Sequence, residues 1–167
     1  TERHLKNIKY VQGLQQLNHV QNPYVILPGT RLRIPIAWTK LLHEASANVT
    51  SVHGTATLHR KDHPNIPIEL GMQLLAGDEI RSGNDTFVTM EFADKSYLQI
   101  QNNTNLRLEN MQIFGDYGLV DTLINLQQGR TESSIPAKSE NGTRFRIKTP
   151  SAISSVRGTD FRVGTLE

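Results

Sequence analysis

From Asn48 to the end of the chain, apolar and polar side chains alternate with a period of two in short segments. This alternation is typical of strands that place one face on a core and the other in solvent. The segments are Val49–Leu58, Val88–Phe92, Leu98–Gln101, Leu106–Glu109, Phe145–Lys148 and Phe161–Val163. Polar turn clusters separate many of these segments, and this pattern is typical of β-sandwiches, β-barrels and β-solenoids. We therefore predict a mainly β protein whose short strands stack, solenoid-like or sandwich-like, over residues 48–167.

The N-terminal quarter has a different pattern. Tyr10, Val11, Leu14 and Leu17 form the apolar stripe of an amphipathic helix, and we predict helix over residues 1–20. An Asn-Pro and a Pro-Gly turn signal follow. Leu32, Ile34 and Ile36 then alternate with Arg33 and Pro35, which predicts a short edge strand. Residues 41–47 are predicted to form a linker to the β-rich part.

Composition narrows the classes of partner and chemistry. The 167 residues include no cysteine, which excludes disulfides and thiolate chemistry. The net charge is only +2, and no cluster of Lys and Arg is interleaved with aromatic residues. We expect no nucleic-acid partner, no cofactor and no membrane span in this sequence.

Candidate catalytic and metal-binding residues are few. His59 and His63 have a metal-ligand spacing, but they lie in a strand-and-loop pattern without a third ligand nearby, which favours exposed histidines. The acidic residues Asp78, Glu79, Glu91 and Asp94 could supply a glycosidase pair. Such pairs are more typical of turn and surface carboxylates, and no nucleophile elbow or zinc-protease motif is present. We predict no catalytic residues and no metal site.

A glycine between strand-like residues near the C-terminus predicts a structural corner. Gly158 is flanked by Arg157 and Thr159, and a glycine here indicates a bulge or a close approach of backbones. Arg157 and Asp160 could pair across the bend. A ligand-binding role for this motif is the alternative.

The N-terminal segment resembles the LysM module. The resemblance rests on Asn18, on the run Asn22–Gly29 and on the run Leu32–Pro35, so it spans residues 1–40 as helix, helix and last strand. LysM modules bind N-acetylglucosamine-containing glycans, above all peptidoglycan. The resemblance implies an incomplete glycan groove whose residues are Asn18, Asn22, Pro23, Tyr24 and Ile26.

Residues 48–167 resemble the FecR-like domain, the extracytoplasmic domain of the iron-transport regulator family and of many envelope proteins. The matching residues are Leu75–Ile80, Ser82-Gly83, Val88–Phe92 with Asp94 and Ser96, Leu126–Gly129, Phe145–Pro150 and Val156–Val163. The resemblance implies an all-β, non-catalytic domain that serves signalling or scaffolding.

Together the resemblances imply a periplasmic or secreted protein of the bacterial envelope. It would bind peptidoglycan or another GlcNAc-containing glycan and present its FecR-like domain to an unidentified envelope protein. Two alternatives stay open: a cell-wall glycan-acting enzyme whose catalytic part lies outside this sequence, and a FecR-type transmembrane signalling regulator.

Overall fold

The computed structural model describes residues 5–39, 41–114, 119–136, 143–156 and 160–165. Strands dominate it, and the prediction of a mainly β protein is confirmed. The described residues contain one α-helix, α1 (Tyr10–Leu17), and one short 3₁₀ helix, Ile36–Trp38. The strands are β1 (Leu41–Glu44), β2 (Ala47–His53), β3 (Ala56–His59), β4 (Ile66–Pro67), β5 (Gln73–Leu74), β6 (Glu79–Ser82), β7 (Phe87–Glu91), β8 (Tyr97–Ile100), β9 (Asn105–Phe114), β10 (Leu119–Gln128), β11 (Arg130–Ser134), β12 (Thr143–Lys148), β13 (Ile153–Val156) and β14 (Asp160–Gly164).

The strands form two sheets. Sheet I has the order β13-β12-β10-β9-β6-β3-β4, and β1 pairs with the far half of β9. Sheet II has the order β14-β11-β8-β7-β2-β5. Every pair is antiparallel except β10 and β12, which are parallel because β11, between them in the chain, lies in sheet II.

The chain crosses between the sheets repeatedly, so the fold is a stack of bent rungs. Strand β2 of sheet II continues into β3 of sheet I, and β6 continues into β7, β8 into β9 and β10 into β11 across similar corners. Successive rungs lie beside each other in both sheets. This arrangement combines the sandwich and solenoid forms that the alternation predicts.

Side-chain hydroxyls join each corner to the next. The hydroxyl of Thr86 donates to the carbonyl of Thr55 at 3.0 Å and accepts from the same residue's N–H at 3.0 Å. Ser82 donates to the carbonyl of Gln101 at 2.6 Å. Thr104 accepts from the N–H of Arg130 at 3.0 Å. A chain that leaves one sheet for another interrupts its backbone ladder, and these hydroxyls satisfy groups that would otherwise be unpaired.

Two glycines allow the corners to approach so closely. Gly54 has φ +80°, and a Cβ there would lie 2.6 Å from the hydroxyl oxygen of Thr86. Gly129 has φ +94°, and a Cβ there would lie 2.6 Å from the Cα of Thr104. Both positions therefore exclude a side chain by backbone conformation and by space.

One apolar core fills the space between the sheets. The inner faces of both sheets supply its side chains. The rings of Phe92 and Phe145 contact each other edge to face, with their centroids 5.3 Å apart. Its largest fully buried members are Phe145, Leu58, Leu74, Ile80, Met90, Leu98, Ile100, Leu106, Leu108, Met111, Ile124 and Leu126. Each such side chain contributes about 2 kcal/mol of transfer free energy, so this core is the main source of stability.

The helix is shorter than the predicted span of residues 1–20, and its bounds coincide with the apolar stripe from Tyr10 to Leu17. Residues 1–4 of that span lie outside the described residues. Segment 5–6 pairs with residues 38–39 instead, through the bridge between Leu5 and Thr39 and the 2.8 Å hydrogen bond from Lys6 N–H to the Trp38 carbonyl. Asn7 then forms the turn from which α1 begins, with its side chain accepting from Lys9 N–H at 3.0 Å. Of the predicted helix pair, the described residues contain one α-helix.

The other corrections concern strands. Leu32–Ile36 forms no strand, because the backbone of Arg33 bonds to the side chain of Asn18 instead. The predicted alternation in exposure also stops at Ile34, since Pro35 and Ile36 are both half-buried. Within the predicted linker 41–47, Leu41–Glu44 form β1 against β9 and Ala47 begins β2. The predicted strand Val49–Leu58 is two strands in different sheets, divided at Gly54.

We predict that Gly129→Ala destabilises the protein much more than Gly77→Ala. The two glycines have nearly the same φ, +94° and +96°, but a Cβ at Gly77 would meet nothing within 4 Å. Gly77→Ala should cost about 1–2 kcal/mol of backbone strain, and Gly129→Ala about 2 kcal/mol more for the overlap with Thr104. Thermal unfolding of both variants measures the difference. Equal melting temperatures would show that the corner can open without cost.

Candidate functional site

Asn18 joins the end of α1 to the segment that returns toward the β-rich part. Its amide nitrogen donates to the carbonyls of Leu14 and Arg33, each at 2.8 Å, and its side-chain oxygen accepts from the Arg33 N–H at 2.6 Å. Both amide hydrogens and one oxygen lone pair are therefore in use. Asn18 thus fixes the start of the loop between residues 19 and 31 against the Arg33 backbone. Its predicted contact with a glycan stays a prediction.

The other predicted glycan residues lie together on that loop. The side chain of Asn22 accepts from the Tyr24 N–H at 3.0 Å, which fixes the turn in which Pro23 lies. Tyr24 is 95% exposed, and Ile26 is 39% exposed. The segment Pro23–Leu27, here called the apolar loop, thus presents consecutive apolar side chains to solvent.

Tyr10 and Trp38 form a small apolar cluster with the first part of α1. Their rings stack with centroids 5.3 Å apart, and Gly13 packs against the Trp38 ring so tightly that a Cβ would lie 2.9 Å away. Leu5 and Leu14 are buried beside them. This small apolar cluster is separate from the core between the sheets.

A groove lies along α1 next to the loop. Its lining contains no Asp, Glu, Lys or Arg, and amide side chains form the majority: Gln12, Gln15, Gln16, His19, Val20 and Gln21. Amides both donate and accept hydrogen bonds, so this lining suits an uncharged polar ligand.

The predicted corner near the C-terminus falls largely outside the described residues. Arg157, Gly158 and Thr159 are not among them. Asp160 is described: it begins β14 and lies opposite Ser134 of β11. The pairing predicted between Arg157 and Asp160 therefore stays a prediction.

The histidines and carboxylates weighed for chemistry are dispersed. His59 ends β3 and His63 lies in the following turn. Within the described ranges, no group of three or more His, Asp or Glu side chains could hold a metal ion.

The chain's described helices include none long and apolar enough to cross a membrane.

Asp78 is buried, although the sequence predicts a surface or turn carboxylate at this position. It is 1% exposed and receives two hydrogen bonds from Arg60, each at 2.7 Å, and one from the Leu75 N–H at 2.8 Å. The hydrogen bond to Asp78 raises the pKa of the Arg60 guanidinium above its ordinary value. The Gly77-Asp78 motif is thus a structural turn that leads into β6.

The residues missed from sequence lie on the outer face of sheet II. The cross-strand register aligns Thr89 of β7, Gln99 of β8, Glu132 of β11 and Arg162 of β14 in one row. A neighbouring row contains Glu91 and Tyr97. The alternation predicts a polar face here, but only the register shows which residues become neighbours.

Tyr97 is held in place by two charged neighbours. Its hydroxyl donates to Glu91 at 2.5 Å, and Lys95 donates to the same carboxylate at 2.5 Å. The hydrogen bonds from Lys95 and Tyr97 lower the pKa of Glu91, and the bond to Glu91 raises the pKa of Tyr97. The phenol therefore stays protonated at neutral pH while 40% of the residue is exposed.

Comparison with protein families gives one match. The model of the family described as FecR protein matches residues 78–167, which is more than half of the chain. The comparisons with curated proteins and with solved structures give no match. The matched part begins at the buried Asp78 and takes in strands β6 to β14, whereas β2 and β3, which form the first rung, precede it.

We predict that Asp78→Asn destabilises the protein by about 3 kcal/mol, because it breaks a buried, hydrogen-bonded ion pair. The neighbouring Glu79 offers a matched control. It pairs with Arg81 at 2.8 Å, but both side chains are more exposed, so Glu79→Gln should cost about 0.5 kcal/mol. Chemical denaturation of both variants measures the contrast. A similar loss of stability in the two would contradict the structural role of Asp78.

Proposed function

The chain belongs to the FecR protein family, and from that premise we propose that it is a non-catalytic protein of the bacterial cell envelope. Family membership points to a signalling or regulatory role. In our proposal, the N-terminal segment binds peptidoglycan and the stacked β domain meets a signalling partner in the envelope. The protein would act in the periplasm or outside the cell.

The exposed apolar loop is the observation that supports glycan binding. Tyr24 is 95% exposed, and Val25 and Leu27 are 69% and 74% exposed. Such a patch of exposed apolar side chains lowers solubility unless a ligand covers it. Aromatic and apolar groups pack against the apolar faces of sugar rings, while neighbouring amides bond to hydroxyls and acetamides. The Gln-lined groove along α1 supplies such amides beside the loop.

The LysM resemblance supports the same reading and names the ligand class. It aligns Asn22, Pro23, Tyr24 and Ile26 with the family's second binding loop. Asn18 takes a different part in our proposal, because its amide is occupied by the backbone of Arg33. It would hold the loop in its binding shape, which lowers the entropy lost on binding.

The β domain supports the regulatory half of the proposal. Its corners are fixed by hydrogen bonds and its outer faces present ordered rows of side chains. A rigid surface of this kind suits recognition of another envelope protein, since little conformational entropy is lost on association. The scattered positions of the carboxylates and histidines favour binding over catalysis.

We predict that purified peptidoglycan sediments the protein and that Tyr24→Ala reduces the bound fraction severalfold. Removing the exposed ring deletes its contact with the glycan and leaves the fold intact, because Tyr24 packs against little else. Leu70→Ala is the control, since Leu70 is 71% exposed but lies in the β domain.

Competition by soluble N-acetylglucosamine oligomers should release the bound protein. If Tyr24→Ala sediments as completely as the unaltered protein, the loop does not bind the glycan. If neither protein sediments, the peptidoglycan part of the proposal is wrong and the regulatory part stands by itself.

A further inference from the structure

A trough runs along the outer face of sheet II, over β8, β11 and β14. Two adjoining hollows form it, and they share Glu132 and Arg162 in their lining. It extends from the row of Tyr97 to the row of Gln101, four residues along β8, or about 13 Å. The hollow at the Tyr97 end has a volume of about 500 Å³, within the range of small ligand sites.

The floor of the trough carries neutral hydrogen-bonding groups next to an aromatic ring. Thr89, Gln99 and Ser134 supply hydroxyls and an amide, and Tyr97 supplies the ring. The backbones of β8 and β11 are paired with each other and with their outer neighbours. A ligand on this face is therefore recognised through side chains, and not by addition of a strand.

The charges of the trough balance. Glu132 and Asp160 are acidic, and Arg130 and Arg162 are basic. Arg162 pairs with Glu132 at 3.0 Å. A polyanion or a strongly basic segment would find no excess of opposite charge here.

The Tyr97 ring is oriented before any ligand arrives. Its hydroxyl bond to Glu91, which Lys95 also holds, limits rotation of the side chain. An ordered and exposed ring loses little entropy when a flat apolar surface stacks on it. A sugar ring offers such a surface, with hydroxyls around its edge for the neighbouring threonine and glutamine.

We infer that this trough binds a neutral oligosaccharide, with Tyr97 as its stacking platform and Thr89 and Gln99 as hydrogen-bonding partners. The length of the trough exceeds one sugar ring, so an oligomer should bind better than a monosaccharide. The site lies on the β domain, and the inference does not depend on glycan binding by the apolar loop.

Titration of the full chain with N-acetylchitotetraose and with cellotetraose, followed by isothermal calorimetry, tests the inference. The protein should bind at least one of them, and Tyr97→Ala should weaken that binding about tenfold or more. Phe87→Ala is the matched control: Phe87 is 39% exposed on the same sheet face and lies outside the lining of the trough. Its ring lies tilted beside His53, with the ring centroids 6.4 Å apart. It should leave the affinity unchanged.

Two further variants separate the possible sources of a loss. Tyr97→Phe keeps the ring but removes the bond to Glu91 that orients it, so its affinity should lie between those of the unaltered protein and Tyr97→Ala. Tyr24→Ala changes only the apolar loop and should not affect the part of the binding that Tyr97→Ala removes. A loss with Tyr24→Ala alone would assign the sugar to the loop and overturn the trough, while the proposed function would survive.

Three other outcomes would also overturn the inference. They are equal losses with Tyr97→Ala and Phe87→Ala, no binding of either oligosaccharide at millimolar concentration, and displacement of the bound sugar by a charged polymer such as heparin. Circular dichroism and melting of each variant establish that the fold is retained. A Tyr97→Ala protein that melts normally and binds sugar normally would end the argument for the site.

Discussion

The structure depends on one recurring interaction, a side-chain hydroxyl that bonds to the backbone of the neighbouring corner. Thr86 and Ser82 link the corner between β6 and β7 to the corners before and after it, and Thr104 links the third corner to the fourth. In the fourth corner, the Thr165 hydroxyl accepts from the Gly129 N–H at 2.9 Å. Each crossing between sheets would otherwise bury unpaired backbone groups at a cost of about 1–3 kcal/mol apiece. Because the hydroxyls meet that need, the chain can change sheets repeatedly and still keep both ladders in register.

Fixed corners have a consequence for the faces of the sandwich. With the register set at one end, side chains on the outer faces fall into straight rows, such as Thr89, Gln99 and Glu132. In the N-terminal segment, the side-chain amide of Asn18 has the same role. It forms with the backbone N–H and C=O of Arg33 the hydrogen bonds that a neighbouring strand would form. In both places polar side chains order the backbone, and the groups available for recognition lie elsewhere.

Alternation in the sequence predicts β7, β8, β12 and β14 well, because burial of one strand face imposes a period of two. It does not predict pairing. Leu32–Ile36 alternates without a partner strand, and the run through Gly54 continues the alternation although the chain changes sheets there. Asp78 is hidden from sequence reasoning for a similar reason, since its burial depends on Arg60, eighteen residues away. The loop residues are named by a resemblance, and their glycan role stays a prediction, whereas the trough is formed by strands distant in sequence.

Several charged side chains on the two outer faces are paired with a neighbour of opposite charge. On sheet I, Arg146 pairs with Asp121 at 2.8 Å and Lys148 lies 3.8 Å from Glu109, and on sheet II Arg162 pairs with Glu132. Opposite charges that neutralise each other locally produce little long-range field, so these pairs contribute little to electrostatic steering. In our proposal, recognition therefore depends on shape, stacking and neutral hydrogen bonds, which salt screens only weakly. An exposed tyrosine ring with amides nearby, present both at the apolar loop and at the trough, has the chemistry that such recognition requires.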